Sequence, residues 1–290
     1  MPELYQQLKT MQIITSVSDM QAHAESLRRA GKRIGFVPTM GFLHEGHLSL
    51  IRRARQENDI VVASIFVNPT QFGPKEDLDR YPRDAEGDRK KCESTGVDVL
   101  FAPTAAEMYP EKPVVFVAVE GISDILEGAI RPGHFRGVAT VVAKLFNIVR
   151  PRTAYFGQKD FQQCAVIRQM VAGLNLDVEV IVLPTVREAD GLAMSSRNSY
   201  LDSSQRQKAT CLFRALSAGE ELIKSGVREP DKIRQKMRAV LVEEKGVEVD
   251  YAEVADSDRF TPLETLGDRM VLLVAVRIGS TRLIDNLLIL

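Results

Sequence analysis

The fold prediction starts from residues 34–47, which read IGFVPTMGFLHEGH. Ile34–Val37 is apolar and predicts a buried strand, and the apolar positions from Leu48 onward recur at helical spacing. His44 and His47 therefore fall at the start of a helix and on one side of the chain. A helix N-terminus offers unpaired N–H groups and a positive dipole end, so this layout suits phosphate. A simple packed pair of helical histidines is the alternative interpretation.

Strand and helix patterns alternate through the first two thirds of the chain. β-Branched runs such as Ile60–Val67 predict strands covered on both faces. The alternation predicts an α/β fold with a Rossmann-like, doubly wound parallel sheet, whose ligands bind beyond the carboxyl ends of the strands. His44, Asn68 and Gly157 each follow a predicted strand, so we expect them at one edge. The other strands are predicted at 97–101, 114–119, 154–156 and 178–183, and helices at 18–30 with Ser18 as N-cap, 84–94, 138–148 and 161–172.

The alternation ends after residue 185, where we place a domain boundary. Residues 203–225 and 230–244 predict two long helices, and strands are predicted at 251–254, 270–276 and 282–289. Two helices with three strands indicate a smaller α+β domain. We therefore expect a Rossmann-like domain over residues 1–185 and a C-terminal lid domain over residues 186–290.

The composition argues against several classes of partner and location. Lys and Arg number 38 and Asp and Glu 39, so no excess positive charge favours nucleic acid. No apolar run approaches the length of a membrane span, and residues 1–7 lack the pattern of a signal peptide. Cys92, Cys164 and Cys211 form neither a metal-binding nor a disulfide pattern, which favours a reducing cytoplasm.

A second polar motif, Asn68-Pro69-Thr70-Gln71, follows the predicted strand that begins at Ile60. Pro69 restricts the preceding residue to extended backbone, so two amides stand where the strand ends. Amides donate and accept hydrogen bonds together, which suits a ligand with hydroxyl and carboxylate groups. An ordinary turn is the alternative for Asn68.

A third motif, Gly157-Gln158-Lys159-Asp160, comes directly before a predicted helix. Gly157 allows the backbone to approach a ligand closely. The helix dipole disfavours a cation at this end of a helix, so a bound anion explains Lys159 better than solvent does. Asp160 can cap the helix or accept a hydrogen bond from a ligand hydroxyl.

Three further clusters carry weaker signals. Ser195, Ser196 and Arg197, after Met194, suit phosphate because Arg can bind it through two N–H groups, although an ordinary loop is the alternative. His134 lies in a Gly/Pro-framed loop at 131–137 with two Arg residues, which suits an anion or an exposed loop. Asp88 is either a residue on a solvated helix or a ligand for the Mg²⁺ of a nucleotide triphosphate.

Together these segments resemble the pantoate–β-alanine ligase family. The HxGH segment at residues 44–47 resembles the signature of a nucleotidyl-transferring α/β superfamily, and NPTQF, FGQKDFQQ, TVREADGLAMSSRNSYL and TRLIDN follow in the family's order up to Asn286. The resemblance implies ATP-dependent condensation of pantoate with β-alanine through a pantoyl adenylate. Pantothenate, AMP and pyrophosphate are the implied products, Mg²⁺ accompanies ATP, and a homodimer is implied.

The resemblance also implies site residues at the matching positions. His47 matches the position of a proton donor, and we expect His44, Lys159 and Arg197 to act with it. Gln71 and Gln163 match pantoate contacts, with Gln71 also near β-alanine. Asn68 and His134 are added as substrate contacts because of the polar motifs in which they lie. The implied ATP site comprises Pro38, Thr39, Met40, Gly41, His44, Gly46, His47, Gly157, Gln158, Lys159, Asp160, Val186, Met194, Ser195, Ser196 and Arg197.

Two positions depart from the family pattern. Many relatives carry Glu where this chain has Gln158, and some carry an acid where Gly87 precedes Asp88. The second departure weakens a metal site on the protein, so we expect the triphosphate and water to hold most of the Mg²⁺.

Two other functions stay open. A nucleotidyltransferase of the same superfamily would stop at an adenylated product, and the paired amides Gln71 and Gln163 and the C-terminal domain argue against it. A nucleotide-binding protein without activity would be favoured by loss of the four predicted catalytic residues, and all four are present.

Overall fold

The computed structural model describes residues 10–74, 76–258, 260–267 and 269–290. Residues 1–7, for which we expect no signal peptide, lie outside this described part. Contacts divide the chain into two compact units. The first contains the chain up to Ala118, Gly133–Phe156 and Met170–Leu183, and the second contains Val119–Pro132, Gly157–Gln169 and Pro184–Leu290. The domain boundary at residue 185 stays a prediction.

Six strands form one sheet, which confirms the predicted α/β fold. They are β1 (Gln12–Ile14), β2 (Ile34–Thr39), β3 (Ile60–Ile65), β4 (Val99–Phe101), β5 (Thr153–Gly157) and β6 (Glu179–Leu183). Their order is β1-β4-β3-β2-β5-β6, with parallel pairing from β1 through β5. The chain moves from β2 outward to β3 and β4, and then continues on the other side at β5. Ligands of doubly wound sheets bind beyond the carboxyl ends of the strands at such a reversal.

Helix α1 shows how the local sequence sets a helix start. Its N-cap is Ser16, whose Oγ accepts the N–H of Asp19 at 3.1 Å. The predicted N-cap Ser18 was wrong, because both serines precede the same apolar stripe and only Ser16 has the extended backbone of a cap. The helices up to residue 173 are α1 (Val17–Arg29), α2 (Glu45–Glu57), α3 (Ala85–Thr95), α4 (Ala105–Met108), α5 (Glu127–Ile130), α6 (His134–Val149) and α7 (Phe161–Gly173).

The strand predicted at residues 114–119 is wrong, since the structure assigns no strand to these residues. Val114 and Val115 are 87% and 77% exposed, and the N–H of Val117 donates to Oγ1 of Thr140 at 3.0 Å. β-Branched residues favour extended backbone, but a strand also needs a neighbouring edge to pair with. Along the described chain, no strand pairs with this run.

The core of the first unit fixes the start of α2. Ile51 and Ala54 of this helix are fully buried and belong to one apolar cluster with Val37 of β2 and Val61 of β3. Cys92 of α3 lies in the same cluster. Because interiors are close-packed, the turn between β2 and α2 is held between two fixed elements.

The second unit contains three strands in the C-terminal region where three were predicted, and they pair as an antiparallel sheet. The single helix predicted at 203–225 is wrong, because it is interrupted at Thr210, whose hydroxyl donates to the carbonyl of Gln207 at 2.8 Å. One apolar core, with residues from Leu192 to Leu283, packs these elements together. Within the described residues, no helix is long and apolar enough to cross a membrane. The elements are α8 (Ser203–Ala209), α9 (Cys211–Lys224), α10 (Pro230–Val242), β7 (Val247–Asp256), β8 (Met270–Ile278) and β9 (Thr281–Ile289), with sheet order β7-β8-β9.

Candidate active site

Two histidine rings lie at the start of α2, with their centroids 4.1 Å apart. His44 is the N-cap, and its Nδ1 accepts the N–H of Gly46 at 3.2 Å. The N–H of His44 in turn donates to Nδ1 of His47 at 3.3 Å. The helix start therefore holds both rings through its own backbone.

These hydrogen bonds also set the tautomer of both rings. Nδ1 accepts in His44 and in His47, so each neutral ring carries its proton on Nε2. The Nε2–H groups are donors at a helix end that already has a positive dipole. Two donors at such an end suit the oxygens of a phosphate chain.

The turn before the histidines has unusual backbone geometry. Gly41 and Phe42 have φ values of +83° and +51°. Oγ1 of Thr39 accepts the N–H of Gly41 at 3.2 Å and donates to the carbonyl of Ser64 at 2.7 Å. A Cβ at Gly46 would lie 2.9 Å from Cε1 of His44, so any other residue there would displace the ring. Thr39, Gly41 and Gly46 thus support the histidine pair.

Asn68 and Gln71 follow β3 and have different surroundings. Asn68 is 1% exposed, and its Nδ2 donates to Oε1 of Gln71 at 3.1 Å and to the carbonyl of Gly137 at 3.2 Å. Its Oδ1 accepts from Thr70 and Tyr109. Protein partners therefore satisfy the whole amide of Asn68, which positions Gln71. Gln71 itself is 8% exposed, and its Nε2 lies 3.2 Å from Sδ of Met40.

The ring of His134 carries its proton on the other nitrogen than the rings of His44 and His47 do. Its Nδ1 lies 2.9 Å from the carbonyl oxygen of Gln71. A carbonyl can only accept, so Nδ1 carries the proton and Nε2 is the acceptor of the neutral ring. The loop predicted at 131–137 is wrong from His134 onward, because α6 begins there. The first turn of α6 mixes the buried Phe135 with the exposed Arg136 and glycine, so its sequence alone resembles a loop.

In the second unit, the turn Gln158–Asp160 connects β5 with α7. The buried side chain of Asn286 donates through Nδ2 to the carbonyls of Gln158 and Lys159, both at 2.9 Å. Nζ of Lys159 lies 3.3 Å from Oδ1 of Asp160, and its side chain is 21% exposed. A Cβ at Gly157 would meet nothing within 4 Å, so packing does not require glycine there.

A buried ion pair lies beside Asn286. Arg187 donates to both carboxylate oxygens of Asp285 at 2.6 and 3.0 Å, and also to the carbonyl of Asn286 at 3.1 Å. Burial raises the pKa of Asp285 above its ordinary value, while Arg187 opposes this shift. Removing one partner of such a pair costs about 3–5 kcal/mol. Arg187 therefore fixes the segment after Pro184 to β9.

The segment from Val186 to Arg197 folds back on itself. The N–H of Met194 donates to the carbonyl of Val186 at 3.0 Å, so these two predicted ATP contacts are neighbours. The loop predicted for residues 194–198 is wrong in part, because a 3₁₀ turn covers Ser196–Tyr200. Oγ of Ser195 accepts the N–H of Arg197 at 3.3 Å and caps this turn. Polar composition alone does not distinguish a capped turn from a loop.

The adjacent amides Gln162 and Gln163 differ in burial. Gln162 is 4% exposed, and its Nε2 donates to the carbonyls of Ile122 and Ile125 at 2.7 and 2.8 Å. Its Oε1 accepts the N–H of Glu127 at 3.1 Å. Gln163 is half-buried on the first turn of α7. Gln162 therefore holds the neighbouring segment, and Gln163 is the better placed of the two to meet a ligand.

Asp88 was predicted either as a residue on a solvated helix or, more weakly, as a metal contact, and the residues around it do not fit a protein-bound Mg²⁺. Its two carboxylate oxygens accept the N–H groups of Phe42 and Leu43, each at 2.7 Å. A cation there would face the positive ends of two N–H dipoles. Within the described ranges, no cluster of three or more His, Cys, Asp or Glu residues could hold a metal.

The fold and these groups define a class of protein. A doubly wound sheet with paired histidines at the helix start after a central strand, together with a turn that carries Lys159, is typical of nucleotide-binding proteins of the HxGH type. The sequence model of the pantoate-beta-alanine ligase family matches residues 12–288. The chain therefore belongs to the pantoate–β-alanine ligase family.

Individual relatives are similar along almost their whole length. The pantothenate synthetase of Moorella thermoacetica is 53% identical over 279 residues, which cover 96% of this chain and 99% of the relative. The solved pantothenate synthetase of Thermus thermophilus is 48% identical with a TM-score of 0.91, covering 96% and 99% of the two chains. The ligase from Francisella tularensis, solved in complex with beta-gamma ATP and beta-alanine, is 37% identical with a TM-score of 0.78, covering 96% and 98%.

Several supporting residues were missed by the sequence interpretation. Asn286 and Asp285 lie in TRLIDN, and Arg187 lies in TVREADGL, so the motifs contained them without indicating their contacts. Lys91, whose Nζ donates to the carbonyl of Leu43 at 2.7 Å, had no distinguishing signal within a charged helix. Asp285 and Asn286 are buried, and their position between apolar residues of β9 is the signal in the sequence that could have identified them.

Proposed function

We propose that this chain catalyses the ATP-dependent condensation of pantoate with β-alanine to give pantothenate, AMP and pyrophosphate. The observation that carries the proposal is the histidine pair, with centroids 4.1 Å apart and two Nε2–H donors at a helix start. The histidine pair lies within the match to the pantoate-beta-alanine ligase family over residues 12–288, and this match supports the proposed reaction. A carboxylate oxygen of pantoate attacks the α-phosphorus, and pyrophosphate leaves. The amine of β-alanine then attacks the acyl carbon, and AMP leaves.

Catalysis in this proposal depends on positioning and charge rather than on a protein nucleophile. His44 and His47 donate to phosphate oxygens, and the dipole of α2 supports the same charge. Lys159 and Arg197 contribute positive charge, and Ser195 and Ser196 contribute hydroxyls. The backbone and side chains of the other predicted ATP residues complete the nucleotide contacts.

The two carboxylic substrates require polar groups of a different kind. We assign Gln71 and Gln163 as direct contacts of pantoate, with Gln71 also close to β-alanine. Asn68 supports Gln71, because its own amide is fully bonded to protein.

The amine of β-alanine must lose a proton before it attacks. His134 is the histidine whose Nε2 can accept, because its Nδ1 donates to the carbonyl of Gln71 at 2.9 Å. We therefore assign His134 as the group that receives this proton. The assignment predicts that a His134→Gln variant loses rate in the amine step and keeps its adenylation rate.

Mg²⁺ in this proposal arrives with the triphosphate of ATP, which with water supplies its ligands. When bound, the ion neutralises charge on the leaving pyrophosphate. No side chain of this chain is assigned as its ligand.

We also propose that the chain acts as a homodimer, without nucleic acid or membrane as partner, in the cytoplasm. The exposed valines Val114 and Val115 support self-association, since a second copy would cover them. Light scattering of the wild type and a Val115→Asp variant tests this, with a dimer expected for the first and a monomer for the second.

Mass spectrometry of a mixture of ATP, Mg²⁺, pantoate and β-alanine tests the function. We expect pantothenate with one AMP per molecule formed. Adenylated pantoate that accumulates despite β-alanine would favour the nucleotidyltransferase instead. Formation of ADP would contradict both.

A further inference from the structure

Helix α3 contacts the turn that precedes the histidine pair. Asp88, which is 1% exposed, accepts the N–H of Phe42 through one carboxylate oxygen and the N–H of Leu43 through the other, each at 2.7 Å. One helical turn later, Nζ of Lys91 donates to the carbonyl of Leu43 at 2.7 Å. The N–H and the carbonyl of Leu43 are therefore both held from α3.

This turn needs to be held because its backbone is unusual. Phe42 has a φ of +51°, in the left-handed region that a side chain with a Cβ rarely adopts. The conformation aligns two consecutive N–H groups toward one carboxylate. Hydrogen bonds to an ionised acceptor are stronger than neutral ones, so Asp88 stabilises the arrangement. Residue 41 must be small as well, because a Cβ at Gly41 would lie 2.9 Å from Oδ2 of Asp88.

The other charged residues of α3 have a different environment. Arg89 pairs with Glu86 and Glu93 along the helix, and Lys90 pairs with Glu86 at 3.3 Å. The side chain of Lys90 is 68% exposed. The interpretation of α3 as a solvated helix holds for this face, while Asp88 and Lys91 contact the turn.

We propose that Asp88 and Lys91 are positioning residues, which hold the turn Gly41–Leu43 and thereby set the orientation of His44 and His47. His44 follows Leu43 directly, and its backbone N–H in turn orients the ring of His47 at 3.3 Å. In this role Asp88 acts on the backbone of the turn through both of its carboxylate oxygens and not as a ligand of Mg²⁺. The kinetic consequences rest on the proposed function, while the structural consequence for the rings does not.

Nitrogen NMR of ¹⁵N-histidine-labelled protein without substrates tests the structural part. In the wild type we expect Nε2–H tautomers for His44 and His47 and an Nδ1–H tautomer for His134. Asp88→Asn should mix the tautomers of the first two and leave His134 unchanged. Unaltered signals from His44 and His47 in this variant would overturn the proposal.

Kinetics test the consequence for catalysis. Asp88→Asn should lower kcat for adenylation by about tenfold or more, because small displacements of positioned groups are costly. Lys91→Met, which keeps most of the length of the side chain and removes its donor, should lower it by about fivefold. Glu86→Gln and Lys90→Met are matched controls on the same helix and should leave kcat unchanged. Equal losses in Lys91→Met and Lys90→Met would contradict a specific contact.

Titration with Mg²⁺ separates positioning from metal binding. The half-saturating Mg²⁺ concentration of Asp88→Asn should equal that of the wild type. Recovery of its activity at high Mg²⁺ would identify Asp88 as a metal ligand and overturn the proposal.

If Asp88→Asn does not fold, the NMR and the Mg²⁺ titration of Lys91→Met decide in its place: unaltered His44 and His47 signals would again overturn the positioning role. A wild type without ligase activity but with the expected tautomers would reject the function and keep the positioning role.

Discussion

The turns before α2 and before α7 present candidate catalytic residues in different ways. The turn Gly41–Leu43 is held by the ionised side chains Asp88 and Lys91, which lie 45 to 48 positions further along the chain. The turn Gln158–Asp160 is held by the neutral amide of Asn286, 127 and 128 positions away. Both turns link a strand of the sheet with a helix, yet the first depends on a neighbouring helix and the second on the last strand of the chain.

The difference has a practical consequence for mutations. Changes at Asp88 or Lys91 of α3 should disturb the histidine pair, and a change at Asn286 of β9 should disturb Lys159, although none of these residues is a proposed ligand contact. Each unit has its own apolar core, so the two effects should be separable.

The largest effect is expected for the histidines themselves. His47→Ala should lower the adenylation rate by about 10²-fold or more, the scale of losing one preorganised donor. The melting temperature should barely change, because the ring is half-buried at a helix start. His23→Ala, in α1, is the matched control. Rapid-quench measurement of pyrophosphate release would contradict the role if His47→Ala stayed within about threefold of the wild type.

A smaller effect is expected from the support of Lys159. Asn286→Ala leaves the carbonyls of Gln158 and Lys159 without this donor, at about 1–3 kcal/mol for each unsatisfied group. We expect about tenfold slower adenylation, because Lys159 loses its fixed position. Amine attack on supplied pantoyl adenylate should suffer less in this variant and in Lys159→Ala, since pyrophosphate has already left. Single-turnover assays of both steps check this.

One control variant and one contradicting outcome complete this prediction. Asn147→Ala, at an exposed position of α6, should leave both steps unchanged. Equal damage to both half-reactions in Asn286→Ala would contradict a specific role for this contact in holding Lys159.

The adjacent amides Gln163 and Gln162 give an effect confined to one substrate. Gln163→Ala should raise the KM for pantoate by about tenfold and leave the KM for ATP nearly unchanged. Gln162→Ala should instead lower the melting temperature, because the carbonyls of Ile122 and Ile125 lose their donor. Steady-state kinetics of Gln163→Ala with matched increases for both substrates would point to general disruption.

The smallest effect is expected in thiol reactivity, which reports on each unit separately. Burial raises the pKa of Cys92 in α3 to about 12 and that of Cys211 in α9 to about 11. The thiolate is the reactive form, so labelling at pH 8 should be slow and should need local opening. Asp88→Asn should speed labelling of Cys92 only, and Asn286→Ala should speed labelling of Cys211 only. Peptide mapping that finds both sites accelerated in either variant would show that the units do not respond independently.

The strand–turn–helix unit around His44 was predictable because its signals are local. Apolar spacing identifies β2 and α2, and three residues of separation bring His44 and His47 together at a helix start. The positions of the main strands follow from the same periodicity. A local signal also misled, since Ser16 and Ser18 fit the cap of α1 equally well until the backbone angles are known.

Contacts between distant segments were not predictable in the same way. Asp88 and Asn286 carry no local mark of the backbone groups they contact, because the fold alone brings these partners together. The same limit explains residues 114–119, where β-branched composition indicates extended backbone but contains no information on a neighbouring strand. The tautomer of His134, which differs from that of His44 and His47, also depends on a distant partner, the carbonyl of Gln71.

Oxygen transfer tests the proposed reaction most directly. Pantoate labelled with ¹⁸O in both carboxylate oxygens is mixed with ATP, Mg²⁺ and β-alanine, and the products are weighed by mass spectrometry. The carboxylate oxygen that attacks the α-phosphorus stays on that phosphorus when the amine displaces AMP. The account predicts AMP that carries one ¹⁸O atom and pantothenate that keeps the other in its amide. Unlabelled AMP, or ¹⁸O in inorganic phosphate or pyrophosphate, would contradict it.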